Sequence, residues 1–412
     1  MALGPRRNTL KILLPPVLAA LAAISPARAD GLEDAFRNGH FFGELRYRYE
    51  NDKNNGNPNT AQANTVRADL GFETGLWEDF TAQADFQAVR HSGADDFNDT
   101  QNGNIAFPVI PDPDRSQFRE GWLMWTGLPD TEVKGGRQEI KLDNQRFVGN
   151  GDFRQSDVSF DAGTAIWSPI SGLDLQYAYI WNINRVAQAD WHGGTHLLHA
   201  AYEYADWLRV AGYGYLIDID QSGNLSSQTW GAQATGSKAF DNDIEFDYLA
   251  EYARQSDYAG NPGRYGLNYW HVTPSLVWRD VTLQAGLESL GGNGTDAVQT
   301  PLGTLHWFNG WADQFIPTPP DGLDDRYGRA GYRVPGDGWL GGTRLDAIYH
   351  DFRAERTSAH YGTEWDFSAR RSFETKDFLT KEWTVEAEYA AYRADTFSDN
   401  WNKFWLTIGT KF

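Results

Sequence analysis

The sequence feature that most constrains the fold is a strict alternation of apolar and polar residues that recurs along the chain. In segment 43–50 the odd positions hold Gly, Leu, Tyr and Tyr, whereas Glu44, Arg46, Arg48 and Glu50 are all charged. A period of two residues is typical of a β-strand whose two faces meet different environments. The pattern returns near 66–73, 80–87, 173–183, 244–248 and 385–389. The chain is therefore predicted to be all-β.

The lengths of the connections indicate where these strands lie. Segments of ~9–11 residues, enough to cross a bilayer as a strand, fit the chain about eighteen times. Tight turns, such as 74–80, 127–131 and 278–281, alternate with long polar stretches, such as 92–117 and 291–322. This alternation is typical of outer-membrane barrels. We predict a membrane-spanning antiparallel β-barrel of about eighteen strands over residues 30–412, with both termini in the periplasm; two longer turns, near 334–342 and 372–381, leave the count open by one hairpin.

Composition agrees with a barrel but does not by itself select one. The mean hydropathy is −0.58, although 14% of the residues are aromatic and 42 are glycine. A barrel strand looks hydrophilic on average because its lumen face is polar. A soluble β-propeller or β-helix would share this composition, and only the alternating loop lengths argue against it.

The N-terminus predicts export. Arg6, Arg7 and Lys11 precede an apolar run from Ile12 to Ile24, and residues 27–29 read Ala-Arg-Ala. This is the pattern of a secretory signal peptide, which we assign to residues 1–29. The expected location is the bacterial outer membrane of a Gram-negative cell.

Charge and cysteine content exclude several classes of function. The formal net charge is −20, and it becomes −24 when cleavage removes the four positive charges of residues 1–29. No basic run opposes this field, so nucleic acid is not an expected partner. The absence of cysteine excludes disulfides, thiolate catalysis and thiolate-bound metal.

The C-terminus predicts partners. Phe404, Leu406, Ile408 and the terminal Phe412 share one face of the last predicted strand. Such an ending resembles the signal by which the barrel-assembly machinery recognises its clients. Outer-membrane lipid and lipopolysaccharide are expected to surround the barrel.

Two segments carry a resemblance to a known family. Residues 136–149 (GRQEIKLDNQRFVG), followed by Phe153-Arg154-Gln155, look like the hallmark of the alginate export family of outer-membrane proteins. Residues 299–306 and 308–313, continuing to 317–319 and 322–323, resemble the same family. The resemblance implies an eighteen-stranded channel that passively moves a hydrophilic solute or an anionic polysaccharide such as alginate.

The resemblance also implies a pore constriction lined by basic side chains. The candidate channel residues are Arg46, Arg48, Arg67, Arg137, Arg146 and Arg154. They would pair with carboxylates of a solute or hold a loop inside the lumen. Ion-pair ladders that brace the barrel wall, formed with Glu44, Asp69, Glu73 and Glu139, explain them equally well.

Acidic residues on the predicted lumen face argue against alginate. Most lie in the second half of the chain: Glu245, Asp247, Glu251, Glu288, Asp346, Glu364, Asp366, Glu386 and Glu388. A polyanion would be repelled along such a wall. A basic side facing an acidic side suits small zwitterionic or weakly charged solutes, so a general porin is the alternative function.

No catalytic, metal or cofactor site is predicted. His192, His196 and His199 are close in sequence, but in a strand His196 and His199 point to opposite faces. His271 and Ser275 are the nearest candidate catalytic pair, and no third member or nucleophile motif accompanies them. An outer-membrane enzyme or adhesion barrel is the remaining alternative. The stretch 301–325 is expected either to fold inward as a constriction or to form an ordinary extracellular loop.

Overall fold

Antiparallel strands make up nearly all of the regular structure. The structure is a computed structural model that describes residues 31–93, 95–187, 189–240, 243–374 and 382–412. The predicted signal peptide lies outside these residues. The described part of the chain contains no helix long and apolar enough to cross a membrane.

The elements follow the predicted order. Helix α1 spans Leu32–Arg37, and 3₁₀ turns span Asp220–Leu225 and Leu305–Trp307. The strands are β1 (His40–Asn54), β2 (Thr60–Glu73), β3 (Phe80–His91), β4 (Arg115–Trp125), β5 (Thr131–Gln138), β6 (Ser159–Ile170), β7 (Leu173–Asn184), β8 (Trp191–Ala205), β9 (Leu208–Ile217), β10 (Ser227–Phe240), β11 (Ile244–Asp257), β12 (Gly266–Trp278), β13 (Val281–Leu290), β14 (Leu323–Arg333), β15 (Arg344–Arg353), β16 (His360–Glu374), β17 (Glu382–Ala394) and β18 (Trp401–Lys411).

The sheet closes on itself. Each strand pairs antiparallel with its neighbours in sequence, and β1 also pairs with β18, with Glu44 opposite Lys411 and Asn54 opposite Trp401. The prediction of an antiparallel barrel of about eighteen strands is confirmed. β14 pairs directly with β15, and β16 pairs directly with β17, so no further strand lies between the members of either pair in the described sheet.

The two faces of the wall are inverted relative to a soluble protein. Phe41 and Phe86 face outward and are 72% and 60% exposed, whereas the inward-facing Glu50 and Asp85 are 1% and 0% exposed. An apolar exterior with a polar interior is the arrangement that a barrel needs in a lipid bilayer. The apolar positions of the alternating sequence pattern form the outward face of the strands, and the polar positions form the inward face.

Two connections at the long-loop end turn back into the barrel. Residues 139–158, between β5 and β6, form what we call the first lumen loop, and residues 291–322, between β13 and β14, form the second lumen loop. Val148 and Gln155 of the first loop and Ala312 of the second are completely buried. The stretch 301–325 is thus mostly inside the barrel rather than outside it.

The hydrophobic core lies in the lumen, between these loops and the wall. Phe147, Val148 and Leu302 of the loops pack in one buried cluster with the inward-facing Tyr269 of β12 and Trp405 of β18. The core therefore positions the loops, whereas the outer face of the wall is apolar and exposed.

Candidate functional site

The two lumen loops form one packed unit. Val148 and Leu302 are joined as a parallel β-bridge, and the N–H of Gly149 donates to the carbonyl of Leu302 over 2.8 Å. The N–H of Thr304 donates to the carbonyl of Gln145 over 3.0 Å. These backbone bonds connect two segments that are far apart in sequence, so the loops constrict the lumen together.

A glycine permits this close approach. A Cβ atom at Gly303 would collide with the carbonyl oxygen of Arg146. Gly310, whose φ is +83°, plays a similar part against the wall, since a Cβ there would lie 2.7 Å from the carboxyl group of Glu364. Only glycine combines this φ with so little space.

Arg46 and Arg48 of β1 bind the C-terminal half of the first lumen loop. Arg46 donates to the carbonyl of Asp152 over 2.9 Å, to the carbonyl of Arg154 and to Oε1 of Gln155 over 3.0 Å. Arg48 donates to the carbonyl of Phe153, and its guanidinium lies 4.3 Å from the centre of the Phe153 ring. Both guanidiniums thus bind the loop backbone.

Asp157 ties the same loop to β2 and β4. Its carboxylate lies 3.1 Å from Nη1 of Arg67 and 3.3 Å from Nη1 of Arg119. Burial would raise the pKa of Asp157, but the guanidiniums of Arg67, Arg46 and Arg119 outweigh it and hold the pKa below its usual value. The loop is therefore anchored here by a buried carboxylate that stays ionised.

Arg119 was not among the predicted site residues. A β-bulge opposite Asp85 and Phe86 inserts one extra residue into β4, so that Arg119 and Glu120 both reach the lumen side. Arg119 then contacts Asp85 and, over 2.7 Å, Glu139. The sequence holds a signal of the bulge, because the outward apolar positions change from even at Phe118 to odd at Leu123.

Arg146 connects the first lumen loop to the opposite wall. Its Nε lies 2.5 Å from Glu288 of β13, and its Nη2 donates over 2.8 Å to Asn309 of the second lumen loop. Asp143, three residues earlier in the same loop, accepts hydrogen bonds from His199 and Arg209, each over 2.9 Å. The loop therefore spans the lumen from β1–β4 to β8, β9 and β13.

Arg154 joins the first lumen loop to the second. Its guanidinium lies 3.1 Å from Glu50 of β1 and 3.4 Å from Asp313. Asp313 in turn accepts from Nδ1 of His306 over 3.0 Å and lies 3.7 Å from Nζ of Lys403. Burial, opposed by Asp313, lowers the pKa of His306, so this histidine is neutral at pH 7.

Arg137 is placed apart from the other five candidate arginines. It pairs with Asp161 across the β5–β6 ladder, at 2.6 Å and 3.0 Å, and donates to the carbonyl of Phe118. Arg46, Arg48, Arg67, Arg146 and Arg154 instead all belong to the lumen loops or contact them.

The predicted acidic residues of the later strands lie on the inward face, and two of them, Glu364 and Asp366, bind backbone N–H groups of the second lumen loop. Glu364 accepts from the N–H of Ala312 over 2.7 Å, and Asp366 accepts from the N–H of Trp311 over 3.4 Å. His350 lies 2.9 Å from Asp325. The lumen thus has an arginine-rich side on β1, β2 and β4 and a carboxylate-rich side on β13–β17.

A cavity of about 650 Å³ opens at the long-loop end of the barrel. It is lined by Thr100, Gln101, Arg115, Ala187, Ala189 and Asp190, which brings groups of opposite charge to one mouth. In the described ranges, no three histidine or acidic side chains are grouped as a metal site would need.

Solved structures share this fold, although no protein-family model and no curated protein sequence matches the chain. Pseudomonas aeruginosa OpdO matches with a TM-score of 0.70 at 16% identity, covering 92% of this chain and 98% of its own. Acinetobacter baumannii OccAB2 matches with a TM-score of 0.71 at 14% identity, covering 92% and 99%. P. aeruginosa OpdK, solved with vanillate, matches with a TM-score of 0.69 at 14% identity, covering 92% and 99%.

At these identities the likeness establishes the barrel fold. It gives no support to the resemblance to the alginate export family. The segments that carry that resemblance, 136–155 and 299–323, are the two lumen loops and their flanks.

Proposed function

We propose that the protein is a passive outer-membrane channel for small hydrophilic solutes. The observation that carries the proposal is a closed barrel with an apolar exterior and a charged lumen, crossed by two loops that are packed together. Loops folded into a polar lumen narrow the path and favour small solutes over polymers. No covalent step is part of this function.

The charge pattern supports solutes with little net charge. Carboxylates line both sides of the lumen, whereas the guanidiniums of Arg46, Arg48 and Arg67 are concentrated on one side. Arg115 and Asp190 bring groups of opposite charge together at the mouth. A transverse field of this kind orients a dipolar or zwitterionic molecule without retaining either sign strongly. OpdK, which shares this fold, was solved with vanillate, a small aromatic carboxylate.

Five of the candidate arginines act in this proposal by fixing the width of the channel. Arg46 and Arg48 bind the loop backbone, and Arg67, Arg146 and Arg154 join loop and wall through carboxylates. Charge-assisted bonds of this type are stronger than neutral ones. Selectivity would then follow from the position of the loops as much as from direct contact with solute.

The experiment is conductance of the refolded protein in planar bilayers, combined with swelling of proteoliposomes in amino acids, sugars and oligosaccharides of increasing mass. We expect discrete conductance steps and swelling rates that fall steeply with solute size. Folded protein, verified by its heat-modifiable mobility on gels, that gives no steps would overturn the proposal.

Export of an anionic polysaccharide is the less favoured function. It rests on the sequence resemblance alone, and the two packed lumen loops narrow the path that a polymer would need. Alginate oligomers added to one side of the bilayer should therefore neither block nor traverse the channel. Block at low concentration would restore the alginate-type role.

A further inference from the structure

Three arginines near the long-loop ends of their strands point away from the barrel. They are Arg90 of β3, Arg254 of β11 and Arg393 of β17, and all three are exposed. Each shares its strand face with an exposed aromatic residue, respectively Phe86, Tyr252 and Tyr389. Guanidiniums on the long-loop side of a lipid-facing aromatic residue lie where the hydrocarbon ends and the headgroups begin.

Neutral groups hold these guanidiniums in place. Arg254 donates to Oδ1 of Asn268 over 3.0 Å, and Arg393 donates to Oδ1 of Asn402 over 2.9 Å. Arg90 donates to Oγ of Ser116 over 2.7 Å and to the carbonyl of Arg115 over 2.8 Å. Each side chain is thus oriented by groups that carry no charge.

The arrangement occurs twice with the same three residue types. Tyr252 donates its hydroxyl to Oδ1 of Asn268, and Tyr389 donates its hydroxyl to Oδ1 of Asn402, at 3.1 Å and 3.0 Å. The asparagine oxygen thus receives both a tyrosine and an arginine. A structural ion pair would place a carboxylate at this position instead.

Arg353 shows that contrast on the same outer face. Its Nε lies 2.7 Å from Asp351. Within the described ranges, no carboxylate oxygen lies within 4.0 Å of the guanidiniums of Arg90, Arg254 or Arg393. The chain has a formal net charge of −20, whereas these three sites on the lipid-facing rim are locally positive.

We propose that Arg90, Arg254 and Arg393 bind phosphate groups of the phosphorylated glycolipid in the outer leaflet. A guanidinium matches phosphate oxygens in a bidentate geometry, and the adjacent aromatic ring packs beside the acyl chain. The three strands are well separated in the order of the sheet, so each site takes a separate lipid. This inference rests on the proposed outer-membrane location and not on channel activity.

The test compares the wild-type protein, the triple variant R90Q/R254Q/R393Q and the control R264Q. Arg264 is 88% exposed in its side chain, lies in the loop after β11 and pairs with Asp257, so R264Q removes a charge without touching the outer wall. Binding of lipid A to each protein in neutral phosphatidylcholine nanodiscs is measured by native mass spectrometry, at low and high salt. Dephosphorylated lipid A and phosphatidylglycerol are the comparison lipids.

We expect wild type and R264Q to retain lipid A equally and the triple variant to bind it at least about tenfold more weakly, which corresponds to ~1.4 kcal/mol. Dephosphorylated lipid A should bind all three proteins weakly. Equal binding by the triple variant, or equal binding of the dephosphorylated lipid, overturns the proposal, as does a preference for phosphatidylglycerol. Conductance of the triple variant should be unchanged, so loss of channel activity in all proteins would instead count against the proposed function.

Discussion

The ring of Phe153 in the first lumen loop lies directly over the ring of His306 in the second, with 3.4 Å between ring centres and 14° between ring planes. Trp405 of β18 meets both rings edge to face. This ring stack, which we call the joint, connects side chains of the two loops. Their backbones are also connected, by the β-bridge between Val148 and Leu302.

Replacing Phe153 by Ala should loosen the joint. Truncation of a buried phenylalanine costs roughly 3–5 kcal/mol, and here the cost is borne by the loop unit and not by the barrel ladder. We expect a larger and noisier single-channel conductance with an unchanged gel mobility of the folded barrel. Phe86→Ala, a truncation on the outer face, is the control, and an equal conductance change in it would refute a specific role of the joint.

Replacing Arg46 by Ala should lower the anion-to-cation permeability ratio. The variant removes a lumen charge and three bonds to the first lumen loop. A unit charge at about 4 Å in water is worth ~1 kcal/mol, or about a fivefold change in ratio. Reversal potentials in a salt gradient measure it.

Arg137→Ala is the matched control for Arg46→Ala. Arg137 pairs with Asp161 and contacts neither lumen loop in the bonds described. Its removal should leave the ratio within error of wild type. If Arg137→Ala shifts the ratio as far as Arg46→Ala does, the lumen charge pattern is not what selects ions.

Acid should loosen the second lumen loop through His306. Because burial lowers the pKa of His306 in the folded state, its contribution to stability is present above the unfolded value of ~6.5 and is lost as pH falls below it. The groups that face it are Asp313, Arg154 and Lys403, and the two cations also oppose its protonation. Conductance fluctuations should therefore rise between pH 7.5 and pH 5.

His306→Phe tests the origin of that effect. Phenylalanine keeps a ring over Phe153 and cannot take up a proton. The pH dependence should be reduced in this variant, and fluctuations that rise as in wild type would assign the effect to other groups.

Replacing Asp157 by Asn should weaken the anchor of the first lumen loop. The carboxylate lies within 3.3 Å of both Arg67 and Arg119, and breaking a buried charge pair typically costs 3–5 kcal/mol. We expect faster cleavage of the loop by added protease in detergent. Asp161→Asn, which removes the partner of Arg137, should leave the cleavage rate unchanged, and similar rates in the two variants would contradict the anchoring role.

The barrel could be predicted because alternation is local. The odd and even positions of segment 43–50 determine which residues face lipid, and Leu45 and Glu50 lie as that pattern predicts. The eighteen strands follow from repeating such segments between short and long connections. The bulge at Arg119 was missed because its only sign in the sequence is short: the outward apolar positions change from even to odd numbers between Phe118 and Leu123.

The site could be predicted only in part because its contacts are between distant segments. Arg146 was a candidate, but nothing in the sequence near it indicates Glu288 or Asn309 as partners. The lumen loops have no periodicity, so an inward course was one of two alternatives for 301–325 and was not predicted for the first lumen loop. The removal of residues 1–29 as a signal peptide remains a prediction, as does the recognition of Phe412 by the barrel-assembly machinery.

The pairing of β1 with β18 has a consequence for biogenesis. Because the seam joins the first strand to the last, with Glu44 opposite Lys411, the cylinder cannot be completed before the C-terminal strand is available. A polypeptide segment cannot be threaded into a finished cylinder without crossing its hydrogen-bonded wall or passing through its mouth. Once the seam has closed, the segments around Val148 and Leu302 can enter or leave the lumen only through its mouth.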